Sequence, residues 1–576
     1  MWGESMSDAV NINVANNIMV SLGGTKAEDN KITDGQIAGE EEQKKEEKES
    51  VYSYHTFFYP FIWEGERHDR DFDYVVKCLE QSSIWKNDDI EKNFQKFNMI
   101  DQRSHYAAYQ YFNDAARSAI LGLGDNGSRI QRCYAIESES KDSSSEYIIT
   151  KNKQDMTIEY HLCINAIRLK IFNTGVAVLI FECENSRYRT LEDVKAINEY
   201  GRRVLLPFIP ENPADSVCAD KITIKLHNVC TFEENFEAQI KGYNSSRKEI
   251  PYKFNAMSSL IIDILNAGSK GRYEFTTDKS RKKNRIYITS ALDDRMYVSC
   301  VLTDKKYSEW FKDYDKSEEK IISLYELGFV DCESACTCQS ESMRHELIEQ
   351  HIYKRWIDYG TIYISTAQAF ICISDFIPNI NTFLTMYVDM CILTIVQRAS
   401  LVNFQNEALL LTSRLEERGV GMDKGRISRL MDLQERFIAF QNQLNLREIS
   451  SQEQAVDIYT MLRASSYVDE LHDAMAEQMD ALYAAANTNQ DFGFNKWALI
   501  LAIVALGLDT YANIMTFLST DSMTAFARGI VIAIVLLALL IGIVISGYKF
   551  SRKRNRQIVK REKTCSLLSH LKQSRN

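Results

Sequence analysis

A single carboxylate stands in the most apolar part of this 576-residue chain. Asp509 lies within the run Trp497 to Leu518, and after ten intervening residues, Ser519 to Arg528, comes a second run, Gly529 to Gly547. As helices these runs are about 33 and 28 Å long, which matches a hydrocarbon core about 30 Å thick. A charge near the middle of a membrane costs at least about 2.5 kcal/mol, so Asp509 is expected to face water or other copies of itself. Asn495, Ala498, Ala502, Ala505, Asp509, Asn513, Thr516 and Thr520 recur at three- and four-residue steps and would share one small, polar helix face. The face reads as the lining of a cation path. A protonated Asp509 against its neighbour helix, or a residue used only in assembly, are the alternatives.

Upstream, Asp469, Asp473, Glu477, Asp480 and Asp491 form a second constellation, joined by Glu453, Asp457 and Glu470 and opposed by one base, Arg463. Repeated by symmetry, these carboxylates would make a negative vestibule that concentrates cations; a solvated helix face is the plainer reading. A third constellation, Asn198, Tyr200, Arg202 and Arg203, has the guanidinium and aromatic groups that an anionic nucleotide requires, although arginine at a helix C-terminus also serves the helix dipole. A basic loop, Gly268 to Arg272 with Arg281, Lys282, Lys283 and Arg285, is the other anion candidate, but it lacks a phosphate-loop frame. Cys332, Cys336, Cys338 and His345 have poor spacing for zinc. Neither a Gly-x-Ser-x-Gly nor a His-Glu-x-x-His string occurs, so no enzyme is expected.

The elements that must hold these groups follow from composition and period. Residues 1–50 are polar and end in a mixed-charge run, which reads as disordered. Residues 51–340 alternate strand-like runs (Val51 to Trp63, Ala166 to Cys183, Ile222 to Leu226, Arg285 to Thr289, Met296 to Leu302) with helical ones, an α/β sensor domain. Residues 341–450 read as the helical part of that domain. From about 451 a stalk helix is expected to run without a break into the first span, 451–518. Val468, Leu471, Met475, Gln478 and Leu482 give it a narrow seam, for another copy or for a helix of the same chain. A short outer loop (519–528), the second span (529–547) and a tail (548–576) complete the expectation. Lys496 on one side, and Arg552, Lys553, Arg554, Arg556, Lys560, Arg561 and Lys563 on the other, place both termini in the cytoplasm.

Net charge is −11, which argues against a dedicated nucleic-acid binder, and the cytosolic orientation implies reduced thiols for the thirteen cysteines. This fold class, an α/β cytosolic domain plus a long α-helical stalk and two C-terminal transmembrane helices, resembles the CorA-type metal-ion transporters. The Gly-Met-Asn string of that family is absent, the matching stretch reading Tyr511-Ala512-Asn513-Ile514-Met515-Thr516-Phe517. Thr174 to Phe181 with Asn185, Leu191 to Arg203, and Gln397-Arg398-Ala399-Ser400-Leu401 resemble the CorA-like proteins encoded beside type III CRISPR systems. That resemblance implies a homo-oligomer, pentameric by analogy, in the inner membrane, acting as an antiviral effector opened by a nucleotide messenger such as a conjugate of S-adenosylmethionine with AMP. No cofactor is implied, though magnesium is a candidate ion. A divalent-metal transporter and a non-conducting membrane scaffold are the other readings.

Overall fold

The computed structural model describes residues 51–484 apart from 66–70, 90–105, 124–129, 138–144, 154–155, 208, 247–256, 279–283, 332–336 and 413–423. The N-terminal segment 1–50, Asn489, Asp491, both apolar runs with Asn495, Ala502, Asp509, Asn513, Thr516 and Thr520, the outer loop and the tail lie outside the described residues.

Fourteen strands join one mixed sheet: β1 (Ser53–Glu64), β2 (Lys86–Asn87), β3 (Gln131–Glu137), β4 (Glu146–Lys153), β5 (Met156–Phe172), β6 (Val176–Asn185), β7 (Lys221–Leu226), β8 (Cys230–Asn235), β9 (Glu274–Thr276), β10 (Arg285–Ser290), β11 (Tyr297–Leu302), β12 (Ile352–Tyr353), β13 (Ile362–Ser365) and β14 (Ala369–Ile373). Along the main path the order is β12-β13-β14-β11-β1-β6-β5-β4-β7-β8; β10 also pairs with β1, β9 with β10, β3 with β5 and β2 with β3. The helices that position the site are α1 (Leu191–Gly201), α2 (Glu318–Phe329), α3 (Glu341–His351), α4 (Ile377–Thr412, with a π-helical turn at Phe383–Tyr387), α5 (Lys424–Gln443), α6 (Glu453–Ser465) and α7 (468–484).

The centre of the sheet is β1, whose aromatic and β-branched run is buried on both faces, as a strand covered by helices on either side must be. One edge pairs with β6 over ten positions, Ser53 to Ile62. The other edge changes partner: Ser53 to Phe58 pair with β11, and Phe61 to Glu64 pair with β10. Pro60 stands at the change, where its missing N–H costs the ladder nothing. Phe57 and its alternates face α1, and the approach there is so close that a Cβ on Gly201 would meet Phe57 Cζ at 2.6 Å. The opposite face, which includes Phe58 and Pro60, lies under α4, which packs on β1 and β6. Ser400 on α4 donates to Thr174 Oγ1 at 3.0 Å, so two of the sequence strings that carry the family resemblance meet.

Three expectations are corrected. Residues 341–450 are not a separate helical part, because β12, β13 and β14 lie there and extend the one sheet, β14 running parallel to β11. The stalk is not one straight helix: α6 ends at Ser465, Tyr467 adopts φ +56°, and α7 starts at 468. The CorA-like arrangement is also overturned. Among the described residues one helix, Ile377–Thr412, is long and apolar enough by length and composition to cross a membrane, and 67% of its apolar window is buried within the protein. It is weak evidence for membrane association and none for a two-span topology, because the central helix of a protein core has the same composition.

Candidate functional site

The residues chosen from the sequence for an anionic ligand turn inward. Thr190 caps α1, accepting from Asp193 N at 3.0 Å, and nearly every residue of the helix is buried. Asn198 Oδ1 lies 2.7 Å from His55 Nδ1, and His55 Nε2 lies 2.9 Å from Ser53 Oγ, which also accepts from Asn185 Nδ2 at 2.9 Å. This is a Ser–His–Asn chain in composition, but the three residues are 0%, 0% and 1% exposed, so no substrate reaches the hydroxyl. Burial lowers the His55 pKa to about 4, against the hydrogen bond to Asn198 Oδ1, and keeps the ring neutral.

Tyr200 is buried with Lys151 Nζ 5.1 Å from its ring centre. Arg202, 2% exposed, donates to Glu199 Oε2 (3.1 Å), Gln368 Oε1 (3.0 Å) and the Val330 carbonyl that ends α2 (2.8 Å). Arg203 binds the other oxygen of Glu199 at 2.8 and 2.5 Å. One carboxylate thus holds two guanidiniums, and burial brings Arg202 down to about 10. These four residues form a structural joint. In the other anion candidate, Arg272 donates to Gln81 O and Arg285 to Glu274 and Asp278; Arg281, Lys282 and Lys283 lie outside the described residues.

The acidic residues separate in the same way. Asp469 is bound by Arg463 at 2.5 Å and Arg447 at 2.6 Å. Partial burial acts the other way, but the two guanidiniums hold its carboxyl below the usual range. The Arg463–Asp469 pair bridges the break between α6 and α7. Asp473, Glu477 and Asp480 lie on the exposed face of α7, Asp473 3.1 Å from His472 Nδ1. Val468, Met475, Met479 and Leu482 form its buried face. That face turns toward α5 of the same chain, where Phe437 stacks on His472 at 6.0 Å and Gln441 Nε2 lies 3.0 Å from its Nε2. Of the thiol group, Cys338 donates to Ser340 O; Cys332 and Cys336 lie outside the described residues. Glu318, Glu341 and His345 could hold a metal ion, all their ligand atoms lying within 4.8 Å. Glu318 is already engaged by Arg344 and by His345 at 2.9 Å, and a cation there would face the Arg344 guanidinium.

A crevice of about 80 Å³ opens elsewhere, lined by Pro60, the loop Leu292 to Tyr297, Ala367, Gln368, Ile395, Arg398 and Ser466. Its origin is the partner change along β1. Where β10 stops and β11 has not begun, the loop takes the place of a strand, and α4 covers the gap. Arg295 donates twice to Asp293 Oδ2, at 2.9 and 2.7 Å, and Ser290 Oγ donates to the Asp293 carbonyl. Half-burial raises Asp293, but hydrogen bonds from Asp294 and Arg295 prevail and bring it to about 2; burial and then the neighbouring Asp293 push Asp294 up to about 6. The floor is tied down, Met296 N donating to Arg202 O and Val298 N to Gln368 O.

Two hydrogen-bond donors, Arg398 and Ser466, line this crevice. Arg398 is half-buried, and among the described residues its guanidinium makes one long hydrogen bond, 3.4 Å to Ala367 O, out of five N–H donors. Ser466 is 3% exposed and lines the crevice. It is also the residue at which α6 stops, tied to the sheet by its neighbour Ser465, whose Oγ lies 2.6 Å from Ser365 Oγ. No family model, curated protein or solved structure matches this chain. Sequence reasoning quoted Arg398 inside a helical string without giving it a role, and passed over Ser465-Ser466-Tyr467, three poor helix formers in a row, which signal the break.

Proposed function

We propose that this protein is a membrane effector switched by a small anionic nucleotide messenger bound to its cytosolic unit. Copies of the chain, five in the arrangement the resemblance implies, would pass cations along the Asp509/Asn513 face. They would lie in the inner membrane as multi-pass subunits with both termini cytoplasmic. An antiviral role beside type III CRISPR systems is the context the sequence strings suggest. One observation carries the switching part of this reading: the crevice is lined at once by turns of the sheet, by α4 and by Ser466 at the break that precedes the apolar runs. A ligand that binds one arrangement of this break more tightly than another shifts the population between them, and only that difference in affinity can drive a gate.

The test is ion flux from liposomes containing the full-length chain. Cation release that appears only with the S-adenosylmethionine–AMP conjugate, and not with AMP-free buffer, supports the reading; release without ligand, or none under either condition, overturns it. Asp509→Ala should change conductance while leaving assembly intact, and an unchanged conductance would remove Asp509 from the path.

A further inference from the structure

We infer that the crevice is an oxyanion site, in which Arg398 and Ser466 hold a phosphate-sized group against the break between α6 and α7. The inference names the ligand class for the sensor site proposed above and takes its biological sense from that reading, but its evidence is separate. A guanidinium that keeps one long hydrogen bond, beside a serine that lines the same crevice, offers an oxyanion donors from two sides at once. Arg398 supplies the charge. The other arginine of the crevice, Arg295, is spent on Asp293, so that the carboxylate lining the far side enters as an ion pair and not as a free repelling charge.

Volume limits the class further. A cavity of about 80 Å³ has room for several waters, or for one tetrahedral oxyanion, at roughly 10–15 Å³ per water. Sites that enclose a whole drug-sized ligand run to about 300–1,000 Å³. A phosphate group therefore fits the crevice as it stands, whereas a nucleoside attached to it must remain outside or force Ser466 and the 291–297 loop apart. In the second case binding and movement of the break are the same event. Tyr467, at φ +56°, already holds the left-handed conformation that makes this point a hinge, and the Arg463–Asp469 pair spans it.

Inorganic phosphate and AMP, titrated calorimetrically onto the full-length protein in detergent, test this. Both should bind, phosphate should compete with AMP, and Arg398→Gln should weaken both by about tenfold or more, with Ser466→Ala costing less and Arg398→Lys retaining part of the affinity. Circular dichroism and melting of each variant check that the fold is intact. Ser466→Ala and Arg398→Lys keep the test open if Arg398→Gln does not fold. Failure of wild-type protein to bind phosphate, binding of AMP that phosphate does not displace, or unaltered affinity in folded Arg398→Gln would each overturn the site. If Arg398→Gln loses binding while messenger-gated flux persists, the oxyanion site stands and the sensor reading of it falls.

Discussion

Two arginine-bearing regions lie close together on this sheet and behave in opposite ways. Around Glu199, Arg202 and Arg203 the charges are matched: one carboxylate serves two guanidiniums, Arg202 also closes α2 through Val330 and grips Gln368, and its Nε is left buried without a partner. Around Arg398 and Ser466 the guanidinium keeps one long hydrogen bond and a cavity remains. Gln368 belongs to both regions, taking the bond from Arg202 while lining the crevice. The closed region therefore acts as the fixed wall of the open one. The difference shows that a cation-rich string identifies a ligand site only when its guanidinium lacks a carboxylate and opens into a cavity.

The largest expected effect is in the closed region. Glu199→Ala leaves Arg202 buried without its carboxylate and should cost about 3–5 kcal/mol in urea unfolding, whereas Arg398→Gln should stay within about 1 kcal/mol. Equal losses would erase the distinction between the two regions. Next is the buried His55. Its pKa is lowered from 6.5 to about 4, so the unfolded chain takes up the proton first as pH falls. Stability should be complete above about pH 6.5 and decline toward pH 4 by up to about 3 kcal/mol, at about 1.4 kcal/mol per pH unit. His55→Gln should flatten that part of the profile, and an unchanged slope would show that another group carries it.

Smaller effects belong to the hinge. Tyr467 is half exposed, so Tyr467→Gly gives up little burial while relieving the left-handed backbone, and should raise the melting midpoint by the equivalent of about 1 kcal/mol or less. A clear loss would mean that the ring itself holds the break. Asp469→Asn is expected to cost less still, under about 1 kcal/mol, because its side chain is 39% exposed and solvent screens the pair. The carboxyl is held low, so this contribution is present at neutral pH and lost as pH falls through its folded range; hydrogen exchange around 463–469 at neutral and acid pH would read it.

Much of the sheet was legible in the sequence because period and composition agree there: the runs read at Val51 to Trp63, Arg285 to Thr289 and Met296 to Leu302 coincide with strands, whereas Ala166 to Cys183, read as one run, is the end of β5 and most of β6 joined by a turn at 173–175. The strands β13 and β14 were missed since four and five residues are too short to carry a period, and only Gly360, at φ +69°, marks the turn before them. The ligand candidates failed for a readable reason. Glu199 precedes Arg202 and Arg203 by three and four residues, a helix spacing that provides internal partners. The crevice was not legible at all, because it is built where Pro60, the 291–297 loop, Arg398 and Ser466 converge from four distant parts of the chain.

The central claim is that the crevice and the α6–α7 break are one device. Hydrogen–deuterium exchange of the backbone from 460 to 472, measured on the full-length protein with and without saturating AMP, tests it most directly. The account predicts a change in exchange at Ser466 to Asp469 in wild-type protein that is lost in Arg398→Gln. The same exchange with and without bound AMP in the wild type, or an equal change in both proteins, would contradict it.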